Sequence, residues 1–171
     1  MRSHANRGKN WERMLSLIHA RYEAQGLAVV IRTPPPMRIL GSIGKGQFRA
    51  CFESHGPPDY LILTDGLPIM AEAKESAQAR WALSNLHLHQ ADRLSRWQDQ
   101  RGRSIVLLHH RPSRSHWILP WERLEPTWRS WHETTSKGER AASGSASLSL
   151  SDIRGLGLFF ELDYLEALRK T

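Results

Sequence analysis

Asp59, Glu72 and Lys74 are the residues of this chain whose types and spacing could do chemistry together. They stand in PPDYLILTDGLPIMAEAKES, residues 57–76, where two apolar runs, Tyr60–Leu63 and Ile69–Ala71, flank Asp65-Gly66. Asp-Gly between apolar runs predicts a β-hairpin with a two-residue type I′ turn. That register sets Asp59 directly opposite Glu72, on one face, with Cβ atoms about 4.5–5.5 Å apart. Lys74, two residues on, points to the same face. A bulge at Pro68 would break the register. Two neighbouring carboxylates repel, so a shared proton, a cation or solvent must separate them. A hard divalent ion, Mg²⁺ with Mn²⁺ as substitute, suits such a pair together with phosphate and water. A lysine beside it can orient an attacking water and neutralise charge in the transition state. On an arbitrary hairpin the same three residues form an exposed salt-bridge patch.

The elements that must position these residues are legible from periodicity. Trp11 to Gln25 reads as a helix, with Trp11, Leu15, Ile18 and Tyr22 on one face and Gly26 as stop. Glu12 sits at the edge of that stripe and can reach inward. Leu27–Thr33 reads as a strand halted by three prolines. Residues 37–56 are Gly-rich and basic, and form a loop, an extended ribbon or a mobile arm. Leu83–Gln100 reads as a second helix with Leu83, Leu86, His87, Gln90, Leu94 and Trp97 on one face. Gln90 in that stripe must find a partner. Strands are expected at Ser104–His110 and His116–Trp121, paired across RPSRS. A short helix broken by Pro126 follows, then a polar, flexible loop over 134–147. The tail reads as a strand and a helix from about Asp163. The order predicts an α/β fold, a mixed central β-sheet flanked by helices.

The chain has 171 residues, enough for one domain over 1–171. Its net charge is +7, and no acid occurs over residues 38–49 or 101–116. Such basic runs point to a polyanion, nucleic acid first. No apolar run approaches the ~20 residues of a membrane span, so no membrane partner is expected. Cys51 is the one cysteine, read as a lone buried thiol in a reducing cytoplasm.

Pro58-Asp59 followed by Glu72-Ala73-Lys74 resembles the P-D…(D/E)-x-K pattern of a metal-dependent nuclease superfamily. The similarity extends to NRGKNWERML (6–15), AVVIRTPPPMRI (28–39), NLHLHQADRL (85–94) and LGLFFELDYLEAL (156–168). Together these resemble a RecU-type Holliday junction resolvase over most of the chain. The resemblance implies a restriction-endonuclease-like core with a basic β-arm. It implies a homodimeric, Mg²⁺-dependent endonuclease that cuts four-way junction DNA symmetrically. It makes Asp59, Glu72, Lys74, Glu12 and Gln90 the catalytic set. Asp59, Glu72, Glu12 and the Ala73 carbonyl would be the metal ligands. Arg7, Lys9, Arg32, Arg38, Lys45 and Arg49 would grip phosphates. Pro57 and Pro58 depart from the family, which more often has hydroxyl residues there. The segment 38–56 is shorter than the family's stalk, and the Lys74-to-Gln90 spacing is slightly compressed. A related nuclease acting on duplex DNA or ends, or a non-catalytic DNA-binding protein, remain the alternatives.

Other groupings carry less. His87 with His89 and His109 with His110 lack zinc-site spacing. GSIGKG (41–46) lacks a complete phosphate-loop pattern. The seven tryptophans read mostly as core, with Trp81 a candidate for stacking on unpaired bases.

Overall fold

Trp11, Leu15, Ile18 and Tyr22 are all buried on one side of α1 (Lys9–Ala24). Gly26, at φ 65°, closes it, and the Leu27 N–H donates to the Tyr22 carbonyl at 2.9 Å. The computed structural model describes residues 9–52, 56–137 and 146–170. The strands in chain order are β1 (Val29–Arg32), β2 (Met37–Gly44), β3 (Gln47–Phe52), β4 (Tyr60–Thr64) and β5 (Leu67–Ser76). They continue as β6 (Trp81–Ala82), β7 (Arg103–His110), β8 (Ser115–Pro120), β9 (Ser147–Leu148) and β10 (Leu158–Phe160). The further helices are α2 (Leu88–Asp99), α3 (Trp121–Ser136), α4 (Leu150–Leu156) and α5 (Tyr164–Arg169).

Six strands form the central sheet in the order β1-β4-β5-β7-β8-β10, mixed because β5 and β7 run parallel. β7 is buried on both faces, which is why SIVLLHH reads as a continuous apolar run. Ile105 and Leu107 pack with α1 and α5, while Val106 and Leu108 pack with α2, α3 and α4. β2 and β3 form a separate two-stranded ribbon, which resolves the open reading of residues 37–56 up to Phe52. Cys51 lies on that ribbon and is part-exposed, so the expectation of a buried thiol is corrected.

Four further expectations are corrected. Leu83–Asn85 is a separate 3-10 turn, and α2 begins only at Leu88, because His87 adopts extended backbone and caps the helix. α3 runs through Pro126 for 16 residues instead of breaking. Trp121, Leu124 and Trp128 are buried beneath it, and their packing outweighs the one lost backbone bond. That helix reaches Ser136 and Ser147 pairs in β9, so the expected 134–147 loop is ordered at both ends; 138–145 lie outside the described residues. Trp81 is fully buried and paired with Leu148, so it is no stacking platform. Among the described residues no helix is long and apolar enough to cross a membrane.

Candidate active site

The β4–β5 hairpin forms with the anticipated register. Tyr60 pairs with Ala71 and Thr64 with Leu67, and Asp65 and Gly66 take φ 49° and 75°. Pro68 makes no bulge, pairing with Leu63. The ladder ends at Tyr60, so Asp59 is not a paired strand residue facing Glu72. Pro58 has no N–H to extend the ladder, and its carbonyl accepts from Thr33 Oγ1. The Ala73 N–H donates to Asp59 Oδ2 at 2.8 Å instead. The acid therefore reaches the site through its own side chain, held by the neighbouring strand's backbone.

Glu72 is 2% exposed and accepts at Oε1 from Lys74 Nζ at 2.9 Å and from Gln90 Nε2. Lys74 Nζ also donates to Gln90 Oε1 at 3.1 Å, closing a triangle of acid, ammonium and amide. Gln90 is fixed in turn because its Oε1 accepts the His87 N–H at 3.0 Å at the start of α2. Its partners are thus Glu72 and Lys74 of β5, and its place is the helix's first turn rather than the middle of an apolar stripe.

These side chains open into one cavity of about 210 Å³ lined by Glu12, Asp59, Glu72, Ala73, Lys74 and Gln90, together with Trp11, Arg32, Tyr60 and Glu75. Burial pushes the Glu72 carboxyl up to about 7, with the Asp59 charge adding and Lys74 opposing. Asp59 is raised too, chiefly by burial, while the Ala73 N–H and Lys74 pull it down. Perturbed carboxylates in a cleft mark functional sites.

Glu12 lines the cavity, yet its Oε2 accepts from Arg32 Nη2 at 2.7 Å rather than reaching the other acids. Accordingly no three His, Cys, Asp or Glu side chains are gathered to hold a metal among the described residues. Arg32 is exposed at the cavity wall and paired to Glu12, which qualifies its expected role as a free phosphate grip. Arg38, Lys45 and Arg49 are exposed on the β2–β3 ribbon. Arg7 and the side chain of Lys9 lie outside the described residues. Sequence reasoning passed over Glu75, Trp11 and Tyr60 as wall residues. Only adjacency to Lys74, Glu12 and Asp59 in the chain could have pointed to them.

A mixed sheet with helices on both faces and an acid, acid, lysine hairpin at one end defines a restriction-endonuclease-like core. The solved structure of Hjc, a Holliday junction resolvase from Archaeoglobus fulgidus, has this fold. It matches 86% of this chain and 94% of its own at TM-score 0.50 and 13% identity, a likeness of fold alone. A curated Streptococcus oralis protein named Holliday junction resolvase RecU is 30% identical over 178 residues, 97% of this chain and 84% of the relative. Its namesake in Streptococcus pneumoniae (strain Hungary19A-6) is 33% identical over 122 residues, 68% of this chain and 62% of the relative. The family described as Recombination protein U matches residues 6–170, and the chain belongs to it.

Proposed function

We propose that this chain is a junction-resolving endonuclease, one nuclease domain over 1–171, acting in the cytoplasm as a homodimer that cuts four-way DNA junctions symmetrically. The observation that carries this is the Glu72–Lys74–Gln90 triangle facing Asp59 in one cavity of a RecU-family chain.

The donor set fits a divalent ion. Burial raises both carboxyls, the Asp59 charge raises Glu72 further and the Glu12 charge raises Asp59, while Lys74 is the one ammonium opposing them. Asp59, Glu72 and the Ala73 carbonyl would hold Mg²⁺, with Mn²⁺ as substitute, and Glu12, now paired with Arg32, would be the further ligand. When bound, the ion supplies Lewis-acid polarisation of the scissile phosphate and acidifies water. The chain's own residues do the rest. Lys74, held by Glu72 and Gln90, presents an N–H toward the attacking water and the phosphate's developing charge. Gln90 keeps the lysine and acid in register. Arg38, Lys45 and Arg49 on the ribbon, with Arg32, Arg7 and Lys9, grip phosphates and recognise shape more than sequence. A two-fold dimer presents two cavities to a junction that is itself nearly two-fold.

The test is cleavage of an end-labelled four-way junction and a linear duplex of the same sequence, with Mg²⁺ and with EDTA. Paired nicks on the junction alone, abolished by EDTA, are expected. Equal cutting of the duplex would replace this reading with a general nuclease. Junction binding without cutting in any divalent metal would leave a DNA-binding protein.

A further inference from the structure

The acid-free run over 101–116 ends in an exposed turn, Arg111-Pro112-Ser113-Arg114, whose role the catalytic set leaves unassigned. We propose that this turn is a second contact for the DNA backbone, Arg111 and Arg114 each taking a phosphate beside the one that is cut. The proposal rests on the reading of the cavity as a DNA-cleaving site, and adds where the flanking strand is held.

Position is the first argument. β5 and β7 are parallel, so the catalytic strand and the turn leave the sheet at the same end, where Ser76 pairs with His110. Glu75, next to Lys74, lines the active cavity, and Arg111 Nη1 lies 3.4 Å from Glu75 Oε1. The guanidinium is therefore one side chain from the cavity, tethered but 53% exposed.

Construction is the second. An exposed polar turn buries no apolar surface and would ordinarily be loose. This one is braced from beneath by His110, 2% exposed, whose Nδ1 contacts Ser113 Oγ at 2.7 Å and whose Nε2 contacts the Ala79 carbonyl at 3.1 Å. Ser113 Oγ is 2.6 Å from Ser115 Oγ, which accepts from Trp117 Nε1 at 2.7 Å. Arg114 takes left-handed backbone at φ 50°, an unfavourable state for arginine that the network and the Arg111 carbonyl, accepting at 3.0 Å, hold in place.

Charge is the third. Arg114 makes no ion pair among the described residues, and guanidinium forks match phosphate oxygens. Two exposed arginines on a braced turn at the cavity's end of the sheet fit a DNA backbone better than any neutral or cationic partner.

The experiment measures binding of the four-way junction and of the linear duplex across a salt series in EDTA, so that cutting plays no part. The proteins are wild type, Arg111→Ala, Arg114→Ala, Arg111→Lys and Arg169→Ala. Arg169 pairs with Asp65 in the turn at the opposite end of β5 and serves as the control. Each of the two alanine variants should flatten the log–log salt slope by about 1 and weaken binding roughly tenfold. Arg111→Lys should keep most of the slope, and Arg169→Ala should match wild type. Wild-type slopes in Arg111→Ala and Arg114→Ala overturn the proposal while leaving the cavity's function intact. A slope lost in Arg111→Ala and equally lost in Arg111→Lys overturns it in favour of a structural role. Failure of the wild type to bind either DNA overturns the underlying function as well.

Discussion

Glu72 is the buried carboxylate on which Lys74 and Gln90 converge. Its folded carboxyl titrates near 7 against 4.5 for the ordinary value, so between these pH values the folded chain holds a proton that the unfolded chain has shed. Stability linked to it is fully present below about 4.5 and is lost as pH rises through about 7. In EDTA the wild-type Tm should therefore fall between about pH 5 and pH 8, and Glu72→Gln should flatten that fall. A Glu72→Gln curve parallel to wild type would place the titration elsewhere. Metal binding needs the carboxylate and itself favours the ionised form, so cleavage should rise with pH with a midpoint at or below about 7, and a rate falling as pH rises toward 7 would contradict the assignment. Asp59, Glu72 and Lys74 were legible because Asp-Gly fixes a hairpin register and with it a face. The manner in which Asp59 arrives was not. It depends on Pro58 withholding an N–H and Ala73 offering one, a detail of backbone satisfaction across two strands. The Glu12–Arg32 pair was equally hidden, because it joins a helix to a strand twenty residues away.

At the scale of elements, long periodic segments were readable and short or locally determined ones were not. α1 follows from apolar spacing, and the hairpin from apolar runs flanking Asp65-Gly66. α4 was missed although Ser149-Leu150-Ser151-Asp152 carries a capping box: the Ser149 hydroxyl accepts the Asp152 N–H at 3.2 Å and Asp152 Oδ2 accepts the Ser149 N–H at 2.7 Å. Ser149→Ala should cost about 1 kcal/mol in denaturant unfolding; an unchanged midpoint would show the cap to be idle. α3 defied its proline because Trp128 is buried beneath it, with Nε1 donating to the Leu83 and Leu86 carbonyls at 3.2 and 3.1 Å. Those bonds hold the 3-10 turn that delivers α2, and so Gln90, to β5. At Gly157 an added Cβ would meet the Ile118 carbonyl at 2.8 Å and Leu119 at 2.7 Å. Gly157→Ala should destabilise by about 1–3 kcal/mol, since a sheet carbonyl cannot step aside. A wild-type Tm would mean that the α4–β10 junction shifts freely.

For the whole molecule, one end of the sheet gathers the cavity, the RPSR turn and the acids, while β1 and the β2–β3 ribbon leave apolar side chains uncovered. Val29, Ile31, Ile39, Ile43, Phe48 and Phe52 are each more than half exposed. In the proposed two-fold enzyme a second copy of the chain would cover them. Sedimentation should show a dimer, and Ile39→Asp with Phe48→Asp should shift it toward monomer with loss of paired cutting. A wild-type monomer that still nicks both strands would remove the symmetric mechanism. The family-wide pattern of motifs made the fold legible in outline, but how two copies meet leaves no periodic trace in one chain.

The proposed enzyme should cut its junctions at the Asp59–Glu72–Lys74 cavity. The measurement that addresses it most directly sets junction binding against strand-resolved nicking for wild type and Asp59→Asn in Mg²⁺. Asp59→Asn keeps the shape and a hydrogen-bond acceptor for the Ala73 N–H but loses the charge. Binding within a few-fold of wild type is expected, with nicking reduced at least about a hundredfold on both strands. Nicking by Asp59→Asn at the wild-type rate and positions would contradict it.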